Sequence, residues 1–182
     1  MAMNKKLIPF ILFIAILSFQ SCTGPVGPRG ADGLDGLNGL SGIGTTFDVT
    51  ANFTNANQYR TFLPFSDTGL EVLESDAVLV YIKWETVNNV EVWRLMPQTT
   101  ILDEGVLIYN FDRTIDEVSF FMEGSFALSK LDNSYTLNQE FRVVVIPSDF
   151  QGRMPGVDYT DYEAVQKMLD IDESKIKTYK AE

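Results

Sequence analysis

Seven glycines fall in strict phase, one at every third position: Gly24, Gly27, Gly30, Gly33, Gly36, Gly39 and Gly42. They frame six complete triplets, from Gly-Pro-Val and Gly-Pro-Arg through Gly-Ala-Asp to Gly-Leu-Asp, Gly-Leu-Asn and Gly-Leu-Ser. Chance does not put seven in phase, so the tract marks a segment with its own geometry. It divides the chain into a leader over residues 1–21 that is cleaved off, a tethering stalk over 22–45, one compact domain over 46–150, and a loop, helix and charged tail over 151–182.

The leader opens with Lys5 and Lys6 and continues as an apolar run from Leu7 to Phe19. That is the basic n-region and short apolar region of a secretory signal. A membrane-spanning helix needs about 20 apolar residues, whereas this run is shorter, carries Pro9 and ends at Gln20, Ser21 and Cys22. Cys22 is the only cysteine in the chain, and a stray unpaired thiol is unusual in an exported protein.

The stretch Leu17-Ser18-Phe19-Gln20-Ser21-Cys22 resembles a bacterial lipoprotein box, with Phe19 in the place commonly held by an aliphatic residue and Gln20 in a slot commonly small. The resemblance implies a diacylglyceryl cysteine at Cys22, carrying palmitate or a similar acyl chain. Each buried methylene adds about 0.8 kcal/mol to such an anchor, and two or three chains hold where one would exchange. The glycine tract resembles the collagen triplet repeat, in which only glycine fits at the axis of three wound polyproline II chains. Together the two features resemble the collagen-like lipoproteins of some Gram-negative bacteria, a likeness that covers residues 1–44.

That likeness implies an outer-membrane lipid anchor. Thr23 after Cys22 lacks the aspartate that commonly retains lipoproteins in the inner membrane. Acids that help mark surface export in some groups are missing after Cys22, which favours the periplasmic face, whereas a stalk suits the extracellular one. The tract has proline only at Pro25 and Pro28, never in a third triplet position. Two arrangements therefore stand side by side, with wrapping onto a partner as a third. One is a homotrimer, helped by the effective concentration of chains on one surface. The other is a monomeric spacer at roughly 3 Å per residue, lifting the domain about 50 to 60 Å.

The domain shows period-two alternation. Phe47, Val49, Ala51 and Phe53 interleave with Thr46, Asp48, Thr50 and Asn52, the pattern of a half-buried strand. Further strands are expected over 58–65, 77–87, 90–97, 105–111, 117–126 and 140–147, separated by turn-rich pieces. About seven strands at that spacing predict a mainly β fold, an antiparallel β-sandwich with a short C-terminal α-helix. Asn88-Asn89 is a two-residue hairpin turn, and pairing outward sets Val87 against Val90, Trp84 against Trp93 and Ile82 against Leu95. That register places both tryptophans on one face with Val80, and Lys83, Glu85 and Arg94 on the other. Such a tryptophan pair is most often core, the alternative being an aromatic platform for sugar or protein. Tyr59, Tyr81, Tyr109 and Tyr135 are the further candidates for a binding edge. A capping box from Thr160 to Glu163 starts a helix with Ala164, Val165, Met168 and Leu169 on one side. The end, residues 170–182, reads as frayed helix or tail.

Composition narrows the chemistry. There is no histidine, and after lipidation no free cysteine, so zinc sites, Cys-His dyads and Ser-His-Asp triads fall away. No catalytic residue, cofactor or metal is expected. The acids at Asp158, Asp161 and Glu163, and at Asp170, Asp172 and Glu173, lack calcium-loop spacing. Cleavage after residue 21 removes Lys5 and Lys6 and no acid, leaving 12 basic against 25 acidic side chains, a net charge of −13. Such a chain repels nucleic acid. The resulting expectation is a non-enzymatic outer-membrane lipoprotein, a structural or accessory subunit that binds another cell-envelope protein through an edge strand or the terminal helix. The alternative is a stalked glycan- or ligand-binding module. Cys22→Ser is expected to move the protein from the membrane to the soluble fraction, as read by fractionation and immunoblotting.

Overall fold

The period-two runs become the strands of two facing sheets. The computed structural model describes residues 44–151 and 156–182; the leader, Cys22 and the glycines from Gly24 to Gly42 lie outside them. Nine strands form in place of about seven: β1 (Thr45–Ala51), β2 (Arg60–Pro64), β3 (Ala77–Val87), β4 (Val90–Leu95), β5 (Gln98–Leu102), β6 (Gly105–Arg113), β7 (Glu117–Gly124), β8 (Gln139–Ile146) and β9 (Lys177–Lys180). One sheet runs β4-β3-β8-β1-β9 and the other β2-β7-β6-β5. All pairs are antiparallel except β9 beside β1. Short helices α1 (Phe65–Thr68), α2 (Asn133–Thr136) and α3 (Ser148–Gln151) sit in the connections, and α4 (Tyr162–Leu169) is the longest. The fold is a β-sandwich with a short C-terminal helix, as the alternation predicts.

Inward side chains of both sheets make one core, including Phe47, Val49, Val80, Leu107, Phe120 and Phe141. Phe120 and Phe141 stack across it at 4.6 Å between ring centres. A second core forms on the outer face of the five-stranded sheet, where Tyr81, Val144 and Ile146 meet Tyr162, Val165 and Leu169 of α4. Those three helix positions recur at helical spacing, and burying each contributes about 1.5–3 kcal/mol. β8 is therefore covered on both faces, and its last six residues are all buried.

The β3–β4 hairpin corrects the predicted register. Asn88 and Asn89 both have positive φ, 52° and 63°, the left-handed pair that a tight hairpin turn requires, and Val87 does face Val90. Trp84, however, is skipped: Glu85 pairs with Val92, and Lys83 pairs with Trp93. A bulge shifts every residue beyond it by one, and in a strand a shift of one exchanges the two faces. Trp84 accordingly packs against the inner core, and Trp93 joins Tyr81 and Tyr162 in the outer one. Arg94, expected on the opposite face from Trp84, lies over its ring at 4.3 Å.

The helix begins one residue later than predicted, because Asp161 and not Thr160 is the cap, accepting from the Ala164 N–H at 3.2 Å. The expected tail is in part a strand. β9 pairs with β1, and Tyr179 sets its ring edge-on to Phe47 at 5.8 Å. Beyond it the Ala181 N–H donates to the Thr50 carbonyl. Glu182 and Phe62 then exchange two backbone hydrogen bonds of 3.0 Å. The last residues thus stitch the edge of one sheet to the edge of the other.

A single guanidinium holds the outer layer. Arg142 is only 3% exposed. Its Nε and one terminal nitrogen donate to the two oxygens of Asp48 at 2.7 and 2.9 Å. The other terminal nitrogen donates to the Tyr162 hydroxyl at 2.8 Å and to Glu173 at 2.9 Å. Tyr162 in turn donates to Glu173 at 2.7 Å. The Trp93 ring covers the group at 4.2 Å. Burial works against this charge, but the hydrogen bonds and charge of Asp48 outweigh it and raise its pKa above the ordinary arginine value. Removing one partner of a buried pair strands the other charge, so Arg142→Ala should lower unfolding free energy by about 3–5 kcal/mol, read from urea unfolding. Arg142→Lys should recover only part of it, lacking the two-pronged fit to Asp48.

Candidate functional site: the far end of the sandwich

Register distinguishes the two ends of the sandwich. At the near end Gly44 leads into β1, whose Thr45 faces Val145, and β3 starts with Ala77 beside Ile146. Arg113 ties this end together by donating to the carbonyls of Leu73, Glu74 and Asp76. The far end gathers the 52–59 loop, the turns at 88–89 and 103–104, and the 125–138 segment. Phe53 N–H donates to the Thr136 carbonyl at 2.7 Å and links the 52–59 loop to the 125–138 segment, while Met122 N–H on β7 donates to the Tyr59 carbonyl at 3.0 Å and continues the β2–β7 pairing into that loop.

Two clefts open at the far end and share Leu131 as a wall. The first, about 230 Å³, lies between the 52–59 loop and the 128–137 segment, with Phe53, Thr54, Asn55, Tyr59 and Asn133 among its lining residues. Its loop is internally fixed. Asn57 accepts from the Thr54 N–H at 2.8 Å and donates to the Asn52 carbonyl at 2.8 Å. Consecutive Gln58 and Tyr59 take left-handed φ values of 54° and 56°, a conformation that a bulky side chain holds only when its surroundings impose it.

The second cleft, about 410 Å³, sits at the tip of the β5–β6 hairpin and is lined by Ile101, Asp103, Glu104, Lys130, Asp132 and Tyr135. Three carboxylates stand there against one ammonium group, beside an aromatic ring and the aliphatic side chains of Ile101, Leu102 and Leu131. Hydrogen bonds from Ser134 hold the Asp132 carboxyl below its ordinary pKa. The chemistry suits a cation on an apolar stem, such as a lysine or arginine side chain.

β5 leads directly into this cleft. It is an edge strand, paired only with β6 among the described residues. Its sequence Gln-Thr-Thr-Ile-Leu bears no charge, and Ile101 is 82% exposed. Val106, directly opposite on β6, is also exposed. The other edges are guarded by devices that block strand addition. β4 carries Glu91 and Arg94, β9 is four residues long with Lys177 and Lys180, and β2 is capped by residue 182. The sequence reading missed β5 because it is short and half polar. Its signal was the β-branched run before Asp103-Glu104-Gly105, a two-residue turn closing on glycine; Gly105 has φ 139°.

The predicted tyrosines do not form one surface. Tyr81 is fully buried and donates to the Tyr159 carbonyl at 2.7 Å; Tyr109 is 4% exposed and donates to the Tyr135 carbonyl at 2.8 Å. Neither can stack on a ligand, which corrects their place among the candidates. Tyr59 is half-buried against the inner core and borders the first cleft, and Tyr135, 36% exposed, borders the second. Trp84 and Trp93 are half-buried on opposite faces. Four of the six acids considered for calcium are engaged locally: Asp158 accepts from Thr160, Asp161 caps α4, Asp172 accepts from Ser174, and Glu173 serves Arg142. No protein family, curated protein or solved structure matches this chain.

Burial raises the pKa of Tyr81, Tyr109 and Tyr162 well above the ordinary tyrosine value, with Asp158 and Asp161 adding to it at Tyr81 and Glu173 at Tyr162. Folding therefore favours their protonated forms. The stability they contribute is complete below the unfolded pKa of about 10 and is lost as pH rises above it. Phenolate absorbance should show these three groups ionising only together with loss of near-ultraviolet circular dichroism.

Proposed function

We propose that this protein is a non-enzymatic, lipid-anchored outer-membrane lipoprotein acting as an accessory subunit that binds another cell-envelope protein. The observation that carries this reading is the placement of the uncharged β5 edge and its exposed Ile101 at the end of the sandwich opposite Gly44. Residues 22–43 precede Gly44 in the chain, so the chain enters the described domain at the end opposite this edge. The leader, the lipobox-like Cys22 and the glycine tract support the address, and the net charge of −11 supports a protein partner over nucleic acid.

The terminal helix is a poor contact element. Tyr162, Val165 and Leu169 are already spent on its own sheet, so the edge strand is the better of the two contacts the sequence suggested. A photo-crosslinking residue at position 101 in the lipidated protein, irradiated in native membranes, should yield one discrete adduct with an envelope protein. The same residue at position 115, exposed at the near end, should not. Equal adducts from both positions, or none from position 101, would remove the far end as the contact.

A further inference from the structure

We infer that β5 accepts an added β-strand from its partner, and that the arriving segment alternates β-branched residues and carries a lysine or arginine that enters the cleft between Asp103, Glu104, Asp132 and Tyr135. This takes its biological partner from the accessory-subunit reading, while its chemistry can be tested without that partner. Two independent features of one hairpin support it. Along β5, alternate residues turn their N–H and C=O groups away from β6, and no described group meets them. At the end of the same strand the cleft concentrates negative charge, with Lys130 as the one basic side chain in its lining.

Strand addition takes affinity from main-chain hydrogen bonds and specificity from side-chain pockets at alternate positions. Here β5 offers the unpaired main-chain groups, and the strip and the cleft beside it offer the side-chain contacts. On the outer face, Thr99 and Ile101 stand beside Ile108 and Val106 of β6, an apolar strip on which a third strand could extend its own alternate side chains. At its end the carboxylates set polarity and register, since a cation can reach them from only one end of the added strand. A segment with acidic ends would meet like charge and be repelled. A second copy of this chain fits less well. Antiparallel pairing of two β5 strands would bring together two domains of like negative charge and supply no cation to either cleft.

The probe is a synthetic peptide, Lys-Val-Thr-Val-Thr-Val-Arg, added to the full lipidated protein in detergent. The comparison peptide has glutamate at both ends. The basic peptide should slow amide hydrogen exchange at residues 98–102 and leave β4 unchanged. Its affinity should fall about tenfold or more, equivalent to about 1.4 kcal/mol or more, in Asp103→Lys/Glu104→Lys. Ile101→Lys should abolish the protection; Ile101 is exposed, so the fold should be retained, as circular dichroism checks. Equal binding of the acidic peptide, or protection elsewhere than β5, overturns the proposal. So does slowed exchange at 98–102 that appears without peptide and tracks a doubling of mass, because the occupant is then a second copy. In membranes the two readings separate. A position-101 adduct that survives Asp103→Lys/Glu104→Lys overturns the charged strand-addition mode and leaves the accessory subunit standing. Peptide docking with no envelope adduct does the reverse.

Discussion

A positive charge held out of water is the condition on which the outer layer of this protein rests. Arg142 lies in the middle of β8, a strand covered on both faces, and desolvating an ion costs several kcal/mol unless its partners are well placed. Asp48 on β1 takes one side of the fork, and Tyr162 and Glu173 take the other. Those partners come from three separate stretches of chain, so satisfying one guanidinium positions all three. The start of α4 is held over Trp93, and the turn containing Glu173 is set directly before β9. From β9 the chain reaches Phe62, where residue 182 exchanges two backbone hydrogen bonds with β2. One buried charge is thus linked through a few covalent steps to closure of one side of the sandwich.

That closure makes the molecule asymmetric. On the β9–β2 side the sheet edges are stitched together. On the opposite side the two edges, β4 and β5, are joined through Met96 and Pro97 and by Gln98 donating to the Leu95 carbonyl, and among the described residues neither pairs with a further strand. Of these two, β4 carries charges of both signs, with Arg94 drawn over Trp84, and β5 carries none. A sandwich sealed on one side and bare on the other offers an open strand edge on one side only among the described residues, a consequence of backbone hydrogen bonding more than of any particular side chain.

Much of the architecture was legible in the alternation of apolar residues, because strands that bury one face leave that period in the chain. β1, β3, β6, β7 and β8 follow it to within a residue or two at most of their ends. The illegible parts share a cause: they depend on residues distant in sequence. β9 contains Lys177, Thr178, Tyr179 and Lys180, and nothing in that stretch indicates a parallel pairing with β1. The bulge at Trp84 leaves the hydrophobic pattern plausible in two registers, and the register chosen lets Trp93 cover Arg142. Tyr81 and Tyr109 look like surface aromatics until their hydroxyls find carbonyls of Tyr159 and Tyr135, 78 and 26 residues away. At the candidate site, Asp103 and Glu104 form a turn that was not among the sequence expectations. Their meeting with Asp132 and Tyr135 needed the 125–138 segment folded across the hairpin.

An uncharged, exposed edge is ordinarily a hazard, since it can recruit copies of the same chain. In this protein the nearest charge lies beside the edge instead of on it. Screening limits electrostatic reach to about 8 Å at physiological ionic strength, so the overall negative charge of the chain acts weakly between two approaching edges unless some of it lies close to the strand. Asp103 and Glu104 do lie there, in the turn that follows Leu102. In an antiparallel pair of two β5 strands these turns would lie at opposite ends of the pairing, beyond that reach, so each copy would offer the other's carboxylates no cation, whereas a strand that brings a cation to this end is matched. Under the strand-addition proposal, partner choice then follows from one pair of side chains: charging β5 itself would weaken pairing with any strand, whereas charge at its end selects among them.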